Sequence, residues 1–331
     1  MNAWSREKTA EYLLRYATVI ILLVIFLFFA LQAPRFFLPE NIVNIVKQAS
    51  FVGIVAVGMT FVLLTAGIDL SVGSNMYLSA MSAAYVLQVP ALQNGHGVVL
   101  ALAAGLATGL VFGAVNGFAV VVLRIAPFLA TLATLVAGRG LGTAITESYG
   151  LEIPTAFRAF GASSILGVPV PILIFAVVVA GAHLVLTRTA FGRRTHAVGN
   201  DPEAARKAGI RVDRIVFSVY VVSGGFAALG GVTLISLIGR LNQTFGVGKE
   251  FEVITAAVLG GTSLFGGVGT AFGAVVGASL VQMAQAGMVF IEVDIYLQEM
   301  ALGVIIFLAV FFDALRKDRL RRMLRRVLRA D

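Results

Sequence analysis

A single carboxylate stands in a long apolar region of this chain. Asp69 is the only acidic residue between positions 41 and 146, and Ser71 follows it in the segment GIDLSVGS. A carboxylate near a membrane interior is a functional candidate, because burying its charge is costly. Asp69 could instead cap the helix that begins near residues 71–74 by accepting backbone N–H groups. The two roles are compatible.

Other polar side chains occur in two later apolar segments. Thr131 and Thr134 are three residues apart and therefore share one helical face, and Asn116 lies three residues from Gly113. A threonine can also bond the backbone of its own helix, so a purely structural role stays open. The residues that we expect to line a polar path are Asp69, Ser71, Asn116, Phe128, Thr131 and Thr134.

The composition places these residues in a membrane protein. The 331 residues are 59% hydrophobic and 13% charged, whereas soluble domains average about 45–50% apolar and about 25% charged residues. The chain lacks cysteine and its three histidines are far apart, so we predict neither a cofactor nor a metal site. The motifs G-x-x-x-x-G-K-[ST], H-E-x-x-H and G-x-S-x-G are absent from the sequence, so we predict a non-catalytic protein.

The apolar runs predict an all-α, polytopic integral membrane protein, with residues 1–331 forming one domain. A membrane-crossing helix needs about 20 apolar residues. About ten spans are expected, some of them short or discontinuous: 16–33, 51–66, 74–89, 98–123, 127–146, 169–187, 215–238, 253–266, 268–290 and 297–313. Residues 39–50 are expected to form a separate amphipathic helix at the outer interface.

Glycines mark two kinds of position. Gly- and Ser-rich segments at 67–74 and 260–269 adjoin short apolar runs, which is typical of the broken helices that line transport pathways. They could also be ordinary interfacial turns.

Glycines that recur every four residues allow a second helix to pack closely. These helix-packing candidates are Gly105, Gly109, Gly113, Gly117, Gly269, Gly273 and Gly277.

Positive charge is concentrated in three segments. Of the 25 Lys and Arg residues, most lie in 1–15, 188–214 and 316–331. This pattern predicts that all three segments face the cytoplasm. The basic, amphipathic spacing of 316–331 predicts contact with membrane lipid, rather than with nucleic acid, as the reason for the net charge of +8.

Four segments in the same order carry a family resemblance: AGIDLSVGS, FLATLATLVAGRGL, GRRTHAVGNDPEAARKAGIRV and AAVLGGTSLFGGVGTAFGAVVGA. Together they resemble the membrane permease subunits of bacterial ABC importers for ribose and related monosaccharides. The resemblance implies a multi-pass protein of the inner membrane that pairs with a second permease subunit, identical or paralogous. It also implies an ABC ATPase, as a pair or as one tandem chain, and a sugar-binding protein that delivers the solute.

The resemblance further implies a short coupling helix in 188–214 that contacts the ATPase. Local chemistry supports a helix there, since Asp201 suits an N-cap, Pro202 the first turn and Gly209 the end. Glu203 and Lys207 suit the helix dipole and are spaced i, i+4. The coupling candidates are Asn200, Asp201, Glu203, Ala204, Ala205, Lys207 and Gly209.

Other functions compete with this one. The solute could be another small polar molecule, such as a branched-chain amino acid. An ion-coupled secondary transporter would need acidic or histidine side chains within its spans, but Glu147, Glu252 and Glu299 lie at predicted span ends. A purely structural membrane anchor is disfavoured by the glycine-interrupted spans.

Overall fold

A computed structural model describes residue 20 and residues 22–327, without the side chains of 312, 313 and 315–327. The predicted cytoplasmic segment 1–15, the start of the predicted first span and the end of the basic tail lie outside the described residues.

Thirteen α-helices make up most of the described chain, which confirms the all-α prediction. The first is Leu22–Gln32 (α1). The others are α2 (Pro39–Leu64), α3 (Val72–Gln88), α4 (Gly95–Val121), α5 (Pro127–Ile145), α6 (Thr155–Ala162), α7 (Val170–Arg188), α8 (Ala190–Asn200), α9 (Pro202–Lys207), α10 (Val212–Ile238), α11 (Lys249–Leu259), α12 (Ala271–Phe290) and α13 (Ile295–Val327).

The remaining regular structure is short. Two 3-10 helices, Pro34–Phe37 and Pro90–Leu92, follow α1 and α3. Two antiparallel pairs of two-residue strands join β1 (Leu151–Glu152) to β4 (Arg240–Leu241) and β2 (Ser164–Ile165) to β3 (Val168–Pro169). Residues 147–168, between the predicted spans 127–146 and 169–187, therefore contain strands and the helix α6.

Six helices of the described chain are long and apolar enough to cross a membrane: α2, α4, α5, α7, α10 and α12. The four other predicted spans correspond to shorter apolar pieces, which are α1, α3, α11 and the first part of α13, Ile295–Phe311. The chain is thus a polytopic membrane protein in which some spans are short.

One predicted boundary is wrong. Residues 39–50 do not form a separate interfacial helix, because α2 runs without a break from Pro39 to Leu64. The Ser50 hydroxyl donates to the Val46 carbonyl one turn earlier, so this serine is satisfied within the helix. The helix α13 continues from the last apolar span into the basic tail and reaches Val327.

The core is built around α2. Every residue of this helix from Ala49 to Leu64 is buried, and α10 and α12 pack against it. Such a helix is apolar on all sides because protein surrounds it on all sides.

A close helix crossing joins α4 to α10. A Cβ atom on Gly113 would lie 2.3 Å from the Tyr220 carbonyl oxygen, and one on Gly224 would lie 2.2 Å from the Gly109 oxygen. Gly105 and Gly117 continue the same stripe of α4 against Val232 and Phe217. The backbones therefore touch, as small residues permit in membrane helices.

A second close crossing joins α11 to α12. A Cβ atom on Gly273 would lie 2.1 Å from the Gly260 oxygen, and one on Gly277 would lie 1.7 Å from the Ala256 oxygen. Gly269 does not belong to this helical stripe, because α12 begins only at Ala271. Gly269 instead lies against Thr262 in the preceding loop.

Arg139 does not extend toward a lipid headgroup from the end of α5. Its guanidinium donates to the carbonyl oxygens of Gln243 and Phe245 and lies 5.1 Å from the centre of the Tyr77 ring. It thereby ties α5 to the segment between α10 and α11.

We predict that Gly113→Leu destabilises the protein, because its side chain would collide with the α10 backbone at Tyr220. Overpacking of this kind costs about 1–3 kcal/mol, so the thermal midpoint of the purified protein should fall. Gly181→Ala is the matched control, because nothing lies within 4 Å of the added Cβ atom. Replacing this glycine within α7 should leave the midpoint unchanged or raise it. Equal midpoints for both variants would contradict the close crossing.

Candidate functional site

Two interruptions of the helices define the site. The first break comprises residues 65–71, between α2 and α3, and the second comprises residues 260–270, between α11 and α12. Non-helical backbone at membrane depth needs partners for its N–H and C=O groups. In this protein, side chains of neighbouring helices supply partners for the backbone of the first break.

The first break turns sharply after α2. Ala66 adopts a left-handed backbone conformation with φ of 58°, and the Gly67 N–H donates to the Val62 carbonyl oxygen at 3.1 Å. The Leu70 N–H then donates to the Thr131 hydroxyl oxygen at 3.1 Å, and the Tyr220 hydroxyl donates to the Ile68 carbonyl at 3.3 Å. Side chains of α5 and α10 thus replace the missing helical bonds.

Asp69 is buried in this break and bridges it to α10. One carboxylate oxygen accepts from the Ser71 N–H at 3.0 Å and from the Ser71 hydroxyl at 2.6 Å. The other accepts from the Ser223 hydroxyl at 2.9 Å. Ser71 is the N-cap residue of α3, which has no side-chain cap, so the cap predicted for Asp69 does not form. Asp69 shapes the turn that precedes the helix instead.

A chain of hydrogen bonds extends from Asp69 to α5. The Thr134 hydroxyl donates to the Asn116 amide oxygen at 2.6 Å, and the Asn116 amide donates to the Ser71 hydroxyl oxygen at 2.7 Å. Ser71 then donates to Asp69. Each polar side chain of this chain therefore has at least one partner within the protein.

Five of the six path candidates therefore meet at one place, while Phe128 does not. The Phe128 side chain is exposed on α5 and contributes only its carbonyl oxygen, to Thr131. Ser223 and Tyr220 belong to the network but were not predicted. They lie about 150 positions from Asp69 in sequence, and no local spacing connects them to it.

An open volume lies beside the network rather than within it. This break cavity, of about 580 Å³, is lined by Thr65, Ala66, Gly67, Val120, Val121, Arg124, Pro127, Arg206, Asp213, Val216 and Tyr220. Its wall runs from the first break to Arg206 of α9. The break backbone and Tyr220 face this volume, whereas the Asp69 carboxylate is buried behind them.

The second break contacts the first directly. The Gly267 N–H donates to the Leu64 carbonyl oxygen, the last of α2, at 2.9 Å. Gly266 and Gly267 both have positive φ, of 85° and 77°, which glycine adopts without strain. The Thr270 hydroxyl oxygen then accepts from the Gly273 N–H at 2.9 Å and caps α12.

Helix α8, a second helix within 188–214 that was not predicted, packs against the end of α2 and against the second break. The imidazole Nδ1 of His196 lies 3.1 Å from the Gly267 carbonyl oxygen, and since a carbonyl can only accept, Nδ1 carries the proton. A Cβ atom on Gly199 would lie 1.7 Å from the Leu64 oxygen, and one on Gly267 would lie 2.1 Å from the Asn200 amide oxygen. The candidate Asn200 thus faces the second break.

The short helix α9 forms as its sequence predicts. The Asp201 carboxylate accepts from the backbone N–H groups of Glu203 and Ala204 at 2.9 and 3.0 Å. Gly209 follows the helix with φ of 81°, the left-handed conformation of a C-terminal glycine.

The coupling candidates on α9 face two directions. Ala205 is buried against Val198, Val212 and Ile215, so its side chain is not available to another protein. Glu203, Ala204 and Lys207 are exposed. An outside partner could therefore contact these three side chains, while Ala205 anchors the helix to α8 and α10.

Comparison with known proteins identifies a family for this chain. A family model described as "Branched-chain amino acid transport system / permease component" matches residues 41–310. The ribose import permease protein of Escherichia coli (strain K12) is 36% identical, over 93% of this chain and 96% of its own length. The ribose import permease protein of Bacillus subtilis (strain 168) is 36% identical, over 88% and 90%.

The xylose transport system permease protein of Escherichia coli (strain K12) is 32% identical, over 92% of each chain. No solved structure matches the chain.

We predict that Asp69→Asn preserves folding and solute uptake and that Asp69→Ala impairs both. The asparagine oxygen can accept from Ser71 while its amide donates to the Ser223 hydroxyl, which is able to accept. Alanine leaves the buried Ser71 N–H and two hydroxyls without their acceptor, at about 1–3 kcal/mol for each such group. The measurements are the thermal midpoint and the uptake rate.

Asp294→Ala is the control for this comparison. Asp294 also accepts the N–H of the residue two positions later, Tyr296, at 2.8 Å, but it is exposed. Because water can replace the bond of this exposed helix cap, the variant should lose only about 0.5–2 kcal/mol, less than Asp69→Ala, and should transport normally. Normal uptake and stability in Asp69→Ala would contradict the role of the network.

Proposed function

Because the chain belongs to the branched-chain amino acid transport system / permease component family, we propose that it is the transmembrane subunit of an ATP-driven importer. In this proposal it forms the translocation path for a monosaccharide. The observation that carries the proposal is the pair of broken helices. The Gly267 N–H of the second break bonds the Leu64 carbonyl oxygen at the end of α2, and α8 connects the second break to the exposed helix α9. Broken helices with polar partners are the usual construction of a solute path.

The relatives favour a sugar over an amino acid as the solute. The family description mentions branched-chain amino acids, but relatives that match over about nine-tenths of this chain are named for ribose and xylose. Both molecules are neutral aldopentoses. We infer a neutral monosaccharide of about that size, delivered by a sugar-binding protein.

The path itself is proposed to pass the first break. Its backbone faces the break cavity, and the network of Asp69, Asn116 and Thr134 holds that backbone in place. Ser71 and Thr131 take part in the same support. In this arrangement the candidates act by positioning the break, and solute contacts fall on the surfaces beside it.

ATP hydrolysis is assigned to a partner chain, because this sequence carries no phosphate-binding loop of the form G-x-x-x-x-G-K-[ST]. The partners we propose are an ABC ATPase, as two subunits or one tandem chain, and a second permease subunit, identical or paralogous. The exposed side chains of Glu203, Ala204 and Lys207 are proposed to meet the ATPase. Movement of α9 would then be transmitted through α8 to the two breaks.

The bacterial inner membrane is the proposed location, with residues 1–15, 188–214 and 316–331 on the cytoplasmic side. The clustering of Lys and Arg in these segments supports that orientation. Membrane lipid is the expected partner of the basic end of α13.

An ion-coupled mechanism is disfavoured by the surroundings of Asp69. Coupling ions bind where carboxylate oxygens are open to them. Both Asp69 oxygens accept hydrogen bonds from Ser71 or Ser223, and the residue is 1% exposed.

The function is tested by reconstituting the chain with its ATPase and binding protein in liposomes. We expect ATP-dependent uptake of ribose or xylose, and no uptake without ATP. Ala204→Trp should abolish uptake and weaken retention of the ATPase, because it adds a large side chain to the exposed face of α9. A complete complex that imports neither sugar, or imports leucine instead, would refute the proposed solute.

Ala91→Trp serves as the control for the coupling surface. Ala91 is exposed in the short 3-10 helix after α3, at the opposite, predicted outer side. This variant should retain the ATPase and transport normally. Full uptake by Ala204→Trp would mean that the ATPase contacts another surface.

The orientation is tested with single cysteines, since the native chain contains none. In cells that express the chain without its ATPase, Lys207→Cys should resist a membrane-impermeant maleimide and react in inverted vesicles. Ala91→Cys should show the reverse pattern. Both side chains are exposed, so access depends on the side of the membrane. Labelling of Lys207→Cys from outside would invalidate the topology.

A further inference from the structure

A second large cavity opens at the other end of the helices. It has a volume of about 740 Å³ and lies between the first half of α2 and the helices α11, α12 and α13. None of the predicted path residues lines it. We propose that this amide cavity binds a neutral, polyhydroxylated solute before it enters the translocation path. The class of solute in this proposal is taken from the proposed function.

Amide side chains dominate its polar lining. On α2 they recur at positions i, i+3 and i+7, so they share one helical face. Amides from α12 and α13 lie across the cavity from that face. The six lining amides are Asn41, Asn44, Gln48, Gln282, Gln285 and Gln298. Each amide offers both donors and an acceptor, which matches the mixed donor and acceptor character of sugar hydroxyls.

A partly buried ion pair, between Lys249 and Glu252, fixes one wall of the cavity. Both oxygens of Glu252 accept from the Lys249 ammonium at 2.8 Å. The Gln282 amide donates to Glu252 at 3.4 Å and to the Gln285 amide oxygen at 3.0 Å. Glu252 and Gln282 are each only 8% exposed. The pairing neutralises this carboxylate, so the wall is polar without attracting cations strongly. Glu299 adds a second carboxylate at an exposed position.

The rest of the lining suits the carbon framework of a sugar. Phe251 and Phe290 border the cavity together with aliphatic side chains. Ligand pockets usually measure about 300–1,000 Å³ and combine apolar walls with a few placed polar groups. A monosaccharide fits within this volume, with room for water.

Lipid is a poor occupant of this cavity. An amide that faces hydrocarbon without a partner loses its hydrogen bonds with water and gains none in return. Asn44, Gln48 and Gln285 offer several such groups to one volume. Water or a hydroxylated solute satisfies them. The stripe on α2 therefore indicates a wet cavity rather than a membrane-facing surface.

The test uses single cysteines in the 331-residue chain in lipid nanodiscs. Gln285→Cys places the reporter in the cavity, and Gln32→Cys places it at the end of α1, away from the cavity lining. D-ribose and D-xylose should slow the reaction of Gln285→Cys with a water-soluble maleimide. The same sugars should leave Gln32→Cys unaffected, and L-leucine should protect neither position.

A second substitution tests the hydrogen bonds directly. Adding Asn44→Leu to Gln285→Cys should raise the sugar concentration for half-protection about 3- to 10-fold, the factor expected for one lost hydrogen bond. Adding Ala91→Leu, outside the cavity, should leave that concentration unchanged. Retention of the ATPase and the thermal midpoint verify that each variant is folded.

The outcomes separate this proposal from the importer proposal. If sugars protect Gln285→Cys but the complex shows no ATP-driven uptake, the cavity proposal is supported and only the importer proposal is refuted. If sugars do not protect Gln285→Cys in a complex that transports sugar, only the proposal that the cavity binds sugar is overturned. Protection by leucine, or reaction only with a membrane-soluble maleimide, also overturns it.

Discussion

The carbonyl oxygen of Leu64 is the point on which the arrangement of this protein depends. It ends α2, accepts the Gly267 N–H of the second break and lies against Gly199 of α8. A side chain at Gly199 would collide with this oxygen, and one at Gly267 would collide with Asn200. Three segments far apart in sequence are therefore held together by backbone contact. Neither break can shift by much without moving α8, because close-packed contacts transmit displacement.

The buried polar network explains why the first break can exist in an apolar protein. A helix interruption exposes N–H and C=O groups, and leaving them unpaired at membrane depth would cost several kcal/mol in total. Thr131 and Tyr220 bond the break backbone directly, while Asp69 and Asn116 fix the turn into α3. The same bonds keep the carboxylate away from open volume. The polar residues that stand out in the sequence thus support the backbone of the first break, on the side away from the break cavity.

Local sequence patterns predicted the local features. Apolar runs located the spans, glycines located both breaks, and Asp201 with Pro202 located α9, because each signal arises within a few residues. The partnership of Asp69 with Ser223 spans 154 positions, and no periodicity encodes it. The polar stripe at Asn41, Asn44 and Gln48 suits an interfacial helix as well as a cavity wall. Only the packing of α2 against α11 and α12, with α13 across the cavity, distinguishes the two. The inward direction of Ala205 was missed for the same reason.

Two physical routes lead from α9 to the first break, and they constrain how coupling could work. One runs through α8 to Leu64 and Gly267. The other runs through the contact of Ala205 with Ile215 and along α10 to Ser223, which bonds Asp69.

Spatial continuity alone does not create coupling, which also requires an element with two arrangements. Continuous helices such as α2 and α10 resist bending because their backbone bonds are internal. The breaks are held by side-chain hydrogen bonds and glycine contacts, which can exchange partners at lower cost. The breaks are therefore the elements in which a second arrangement can be accommodated, and both routes from α9 end there.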